Sequence, residues 1–169
     1  MSAPAHAAER TAIFAGGCFW CLEPPFDNEP GVTGTVVGYT GGSAEDAVYE
    51  KIGTGKTGHR EAILVTYDPA KVSYSRLLDV FWSAIDLYDA GGQYADRGSQ
   101  YTTALYVQDE AERKAAEQSI AALEKQSGKK VVTVIEPAKP FFSAEDYHQD
   151  YYKKNPVRYK MYKYGSGRS

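Results

Sequence analysis

The chain holds only two cysteines in 169 residues, too few to staple a secreted scaffold together. Histidine is scarce as well: His6, His59 and His148 are the full set, and none is paired at metal-ligand spacing. Long hydrophobic runs are missing, because Gly, Pro or charge interrupts every apolar stretch well short of membrane-spanning length. An excess of positive charge is missing too. The formal charge is −3, which removes the broad electrostatic footprint of a nucleic-acid binder. Neither GxGxxG nor GxxxxGK[ST] occurs, so no nucleotide-cradling loop is signalled. The alanine-rich start lacks the charged and apolar regions of a secretory signal. These absences lead to the expectation of a cytoplasmic protein that binds no metal, no nucleic acid and no membrane.

What is present suits one compact domain. Hydrophobic residues make up 43% and charged residues 24%, enough to bury a core. Thr11 to Ala15, Thr33 to Tyr39, Ala62 to Tyr67, Thr103 to Val107 and Val131 to Ile135 are rich in β-branched and aromatic residues and read as strands. From Ser73, a plausible cap, Leu77, Leu78, Phe81, Trp82 and Ile85 recur at helical spacing. Asp109 caps a second helix reaching Gln126, with Gly128 as its stop. Ser143-Ala144-Glu145-Asp146 opens a last helix that ends before Pro156. Strands alternating with helices predict an α/β fold of the two-layer α+β kind, a mixed sheet flanked by helices in a single domain. Residues 1–10 read as a loose tail, 11–156 as the catalytic domain, and 157–169 as an irregular tail. Gly91 to Gln100 reads as an irregular loop, and long loops in compact domains tend to be functional.

The chemistry concentrates at Gly16-Gly17-Cys18-Phe19-Trp20-Cys21. A short helix starting at Cys18 would set its sulfur near free backbone N–H groups and the positive dipole end, which favour the reactive thiolate. The two glycines let the chain turn sharply into it. At i, i+3 on a helix, Cys21 shares the face of Cys18, with Cα atoms at about the 4.4–6.8 Å that a disulfide requires. Cys18 can therefore be oxidised and Cys21 can resolve it. Two inert core thiols, a zinc site, and a thioredoxin-like dithiol enzyme are the competing readings of the pair alone.

Further motifs follow in order: Gly38-Tyr39-Thr40-Gly41-Gly42, Thr57-Gly58-His59-Arg60-Glu61, Asp96-Arg97-Gly98-Ser99-Gln100-Tyr101, Ala144-Glu145-Asp146-Tyr147-His148-Gln149 and Lys154-Asn155-Pro156. With Gly17-Cys18-Phe19-Trp20 they make the chain, from about Ala12, closely resemble the peptide methionine sulfoxide reductase A family. The resemblance implies that Cys18 is the nucleophile and Cys21 the resolving cysteine. It makes Glu61 the proton donor, with Phe19 and Trp20 walling a pocket for the substrate methyl. Tyr49 and Tyr101 are implied to hydrogen-bond the sulfoxide oxygen, and Asp96 to bind and orient. It further implies the S epimer of methionine sulfoxide, free or in proteins, as substrate, no bound cofactor, and thioredoxin as the external dithiol reductant. Many relatives keep resolving cysteines in a glycine-rich C-terminal tail, and this one has none there.

The residue types fit that chemistry. Reducing a sulfoxide needs a nucleophile at sulfur and a proton for the departing oxygen. A carboxyl can supply the proton near neutrality only if burial or a nearby anion raises its pKa. Glu61 precedes the apolar Ala62-Ile63-Leu64-Val65, where partial desolvation is credible. Read without the resemblance, Glu61 is a surface glutamate at a strand start, and Tyr49 and Tyr101 are two of fourteen tyrosines. Such a phenol donates a hydrogen bond to a developing oxyanion without ionising. His59 and His148 read as structural residues, the latter docking the last helix. A binding module for oxidised methionine in an aromatic pocket is the non-enzymatic alternative.

Overall fold

A computed structural model describes residues 8–167. Strands are β1 (Arg10–Gly16), β2 (Val32–Thr40), β3 (Arg60–Tyr67), β4 (Gly92–Gln93), β5 (Asp96–Arg97), β6 (Thr103–Val107), β7 (Val134–Pro137) and β8 (Phe141–Ser143). Helices are α1 (Glu23–Asp27), α2 (Tyr49–Ile52), α3 (Tyr74–Ala84), α4 (Glu110–Ser127), α5 (Tyr151–Lys154) and α6 (Pro156–Ser166). Single 3-10 turns cover Phe19–Cys21, Ser99–Tyr101 and Asp146–His148. Six strands form one mixed sheet in the order β7-β6-β1-β3-β2-β8, and β4 pairs with β5 apart from it. All of its pairings are antiparallel except β6 with β7.

Alternation along β3 sorts the layers. Ile63, Val65 and Tyr67 join the main core, which also takes Phe14 and Val37 from the sheet and Leu77, Leu78 and Phe81 from α3. Ala62 lies on the opposite face with Ile13, Ala104 and Tyr106. By the same period of two, Glu61 falls on the main core side. Phe14 stacks on Phe26 at 5.0 Å and tilts against Phe81 at 5.3 Å, tying sheet to α1 and α3. Phe14→Ala is expected to lower stability by about 3–5 kcal/mol, measured as an earlier urea midpoint at unchanged slope.

The local signals that end the long helices act as their chemistry requires. Ser73 accepts from the Arg76 N–H at 3.0 Å and Asp109 from the Glu112 N–H at 2.8 Å, each satisfying an orphan donor. Gly128 closes α4 in the left-handed region.

Four expectations change. The single last helix from Ser143 is instead a strand end, a 3-10 turn and the four-residue α5. Gln149 is extended, and its side chain bonds the Val37 N–H (2.9 Å), the Val37 carbonyl (2.8 Å) and the Ala144 carbonyl (3.0 Å). That stitch to β2 and the positive φ of Asp150 leave no room for a continuous helix. The tail from residue 157, read as irregular, is α6, with Pro156 in the first turn and Gly167 left-handed at its end. The loop over Gly91 to Gln100 carries the β4–β5 hairpin, held by Arg97 forking onto Asp89 at 2.5 and 2.8 Å. Of the expected N-terminal tail, residues 1–7 with His6 lie outside the described residues, and β1 already begins at Arg10.

Candidate active site

β1 ends beside the core helices. A Cβ on Gly16 would stand 2.8 Å from both Ile85 and Phe81, so only glycine fits there. Gly17 follows at φ +86° and turns the chain into Cys18. Cys18 precedes the 3-10 turn at Phe19–Cys21, and the Cys21 N–H donates to the Cys18 carbonyl at 3.1 Å. The expected helix start is thus displaced: α1 begins only at Glu23. The pair still meets. The Cys18 and Cys21 thiols hydrogen-bond each other, and both are buried with no disulfide between them.

Glu61 stands across from them. It is 2% exposed, and its Oε1 accepts the Phe19 N–H at 3.2 Å, the amide adjoining Cys18. Tyr101 hydrogen-bonds the same carboxyl. Burial pushes Glu61 up to about 8, with the Asp96 charge adding and the Phe19 and Tyr101 bonds opposing. Glu61 is therefore protonated at neutral pH. Cys18 is pushed well above the ordinary thiol range, first by burial, then by its bond to Cys21 and the charges of Glu61 and Asp96. Here the structure overturns a sequence expectation: no helix dipole stabilises the anion, and Cys18 waits as a thiol.

The two aromatics of the motif lie at different depths. Phe19 is core, its ring 5.8 Å from Tyr39 and 5.1 Å from His148. Trp20 is half-buried, stacked on Tyr151 at 3.9 Å and edge-on to Tyr162 at 5.5 Å. Its indole N–H donates to His148 Nδ1 at 3.0 Å, which puts the proton of the neutral imidazole on Nε2. Burial lowers the His148 pKa, so the ring stays neutral. Its Nε2 lies buried without a partner.

Tyr49 enters from α2, its ring 4.5 Å from His148 and its N–H held by Glu145 at 3.1 Å. Glu145 also accepts from the Tyr39 hydroxyl at 2.8 Å, linking the rim to the sheet. Burial, then the Glu61 charge, raise Tyr49 to about 12, and the same two causes raise Tyr101 further. Both phenols remain donors. Asp96 on β5 accepts a hydrogen bond from the Tyr162 hydroxyl. All eight residues singled out in the sequence, Cys18, Phe19, Trp20, Cys21, Tyr49, Glu61, Asp96 and Tyr101, thus lie in one connected cluster.

Sequence reasoning passed over Tyr151 and Tyr162 as site neighbours. Tyr151 follows the quoted Ala144-to-Gln149 motif by two residues, which is a usable signal. Tyr162 has none. His59, expected to be structural, accepts the Gly42 N–H at 3.2 Å and bonds the Ser43 carbonyl at 2.7 Å. A Cβ on Gly42 would sit 2.5 Å from that ring, so two of the recognised motifs clamp each other as scaffold. Among the described residues, the group of potential metal ligands that gathers is Glu23, Asp27 and Asp150, which includes neither cysteine.

The model of the family described as "Peptide methionine sulfoxide reductase" matches residues 10–169. A peptide methionine sulfoxide reductase MsrA of Ligilactobacillus salivarius is 49% identical over 161 residues, covering 94% of this chain and 93% of the relative. The protein of that name from Bacillus velezensis is 50% identical over 163 residues, covering 95% and 92%. Among solved structures, reduced Mxr1 from Saccharomyces cerevisiae superposes with a TM-score of 0.83 at 29% identity, covering 93% and 90%. Methionine sulfoxide reductase A of Corynebacterium diphtheriae superposes at 0.77 with 31% identity, covering 88% and 76%. Mxr1 in complex with Trx2 shares the fold, at a TM-score of 0.57 and 24% identity over 89% of this chain and 88% of that one. A thiol pair facing a buried carboxyl inside an aromatic wall, on a chain matched over nearly its whole length, belongs to the peptide methionine sulfoxide reductase family.

Proposed function

We propose that the chain reduces methionine S-sulfoxide, free or in proteins, to methionine, with Cys18 as nucleophile, Glu61 as acid and Cys21 as resolving thiol. The observation that carries this reading is the buried Glu61 carboxyl bonded to the amide next to Cys18, where burial pushes its pKa up to about 8. Attack of the Cys18 sulfur on the sulfoxide forms an S–S bond as the S–O bond weakens. Glu61 protonates the oxygen, and the proton lost from Cys18 replaces the one given. Tyr49 and Tyr101 donate hydrogen bonds to that oxygen as charge develops. The S–O bond then breaks and the protonated oxygen bonds to the Cys18 sulfur as the S–S bond breaks with its electron pair left on methionine. Methionine leaves and Cys18 is a sulfenic acid, so the substrate sulfur is reduced and the cysteine sulfur oxidised. Cys21, already hydrogen-bonded to Cys18, condenses with it, releasing water and leaving a disulfide.

Phe19 and Trp20 wall the methyl group, and Asp96 orients the substrate. An external dithiol, thioredoxin, returns the disulfide to two thiols. The solved assembly of the yeast neighbour with Trx2 supports a partner of that kind. No prosthetic group is needed for any step. Among the described residues no helix is long and apolar enough to cross a membrane. Two cysteines are too few for a disulfide framework, and we place this repair activity in the cytoplasm, in a monomer.

The test is mass spectrometry after one equivalent of methionine sulfoxide without reductant. The expected result is one equivalent of methionine together with a Cys18–Cys21 disulfide. Release of no methionine, with both thiols still alkylatable, rejects the proposal.

A further inference from the structure

The reaction above has no task for Tyr162, yet this side chain reaches its centre. The Tyr162 hydroxyl donates to the Asp96 carboxyl and lies beside the Cys18 sulfur, and its ring meets Trp20 edge-on. Cys18 is only 5% exposed. A sulfoxide sulfur must come within about 3–3.5 Å of the nucleophile before reaction, and the phenol holds that space.

Some wall must yield, and the others are anchored. Glu61 belongs to β3, in register with Tyr39 of β2. Trp20 is fixed by His148, and the His148 turn by the Gln149 stitch. α5 is pinned to α1, with the Asp150 N–H on Glu23 and the Tyr152 hydroxyl on Asp27 at 2.6 Å. α6 differs. It departs from α5 at Asn155, a break outside helical geometry (φ −134°, ψ 62°). Its outer face is bare, with Val157, Met161 and Tyr164 exposed by 70%, 70% and 91%.

We propose that α6 is a built-in lid: Tyr162 occupies the place of the sulfoxide in the resting enzyme, and substrate enters only when α6 turns outward about Asn155. The inference rests on the sulfoxide-reductase reading for the identity of the competing ligand, but the shielding of Cys18 does not. A lid of this kind lowers apparent affinity by the fraction of molecules that are open. In exchange the thiol is hidden from small electrophiles and oxidants between turnovers.

The experiment compares Tyr162→Ala and Tyr162→Phe with the parent enzyme. Alkylation of Cys18 by iodoacetamide is followed by peptide mass in a Cys21→Ser background. Rates are taken at two pH values, so that accessibility, which scales both, separates from a change in thiol titration. Loss of the ring contact and the hydrogen bond to Asp96 should raise the alkylation rate about tenfold, and loss of the hydroxyl alone about threefold. In enzymes retaining Cys21, the KM for methionine sulfoxide should fall about tenfold in Tyr162→Ala. Unchanged alkylation in both variants overturns the lid. So does a fall in kcat without a fall in KM, which would make Tyr162 a working member of the site. Absence of turnover in the parent enzyme would reject the reductase reading instead, while the alkylation arm still reports on the lid.

Discussion

Glu61→Gln is expected to slow sulfoxide reduction by about 10²–10⁴-fold at neutral pH, the usual weight of a positioned acid. Glutamine keeps the shape and can still accept the Phe19 N–H, but it has no proton to give. The pH profile makes the prediction sharper. Burial, aided by the Asp96 charge, pushes Glu61 up to about 8, so the acid is charged with its proton below that value and spent above it. The wild-type rate should therefore fall as pH rises through about 8, and the variant should lack that limb. Stability carries the same sign. A folded-state pKa raised from 4.5 contributes stability that is whole below about 4.5 and lost as pH rises through about 8. Glu61→Gln should flatten that decline in urea unfolding. A wild-type rate that stays level across pH 8, or a variant as fast as its parent, removes Glu61 from the mechanism.

Cys18→Ser should cost on the order of 10⁶ in turnover, the scale seen when a covalent nucleophile is removed. The position is buried and the substitution small, so circular dichroism and the unfolding midpoint should change little. The complementary variant separates the two sulfurs. Cys21→Ser should release one equivalent of methionine per enzyme at near the parent rate and then stall, trapping a sulfenic acid that dimedone labels on Cys18. Multiple turnovers by Cys18→Ser, or a stalled first turnover in Cys21→Ser, would exchange or abolish the assigned roles. Both are read in a quenched single-turnover assay.

The long elements were readable because their signals are local. The β-branched runs of β2 and β3 and the apolar spacing of α3 reflect burial on one face. The caps Ser73 and Asp109 answer donors within three residues of themselves. β8 and α2, with three and four residues, are too short for any period to show. α6 was hidden for another reason. Its residues carry tyrosines and cations around most of its circumference, so no apolar stripe distinguishes it from a loop.

The candidate site divides the same way. Residue identities came from motifs, but their protonation depends on neighbours far apart in sequence. Glu61 lies 42 residues from the amide it accepts, and Cys18 feels Asp96 from another part of the chain. The expected thiolate failed on that point, since helix placement is a local inference and desolvation is not. Tyr162 reaches the centre only because the chain folds back over it after Asn155.

The glutamine that borrows an edge of β2 has a consequence for how the pocket ages under stress. Val37 lends both its amide hydrogen and its carbonyl to a side chain, so the aromatic rim rises and falls with one residue of a central sheet. Loosening there would be felt by the indole and imidazole before the core melted. Deuterium uptake at that single amide is accordingly a gauge of pocket integrity, legible without any substrate.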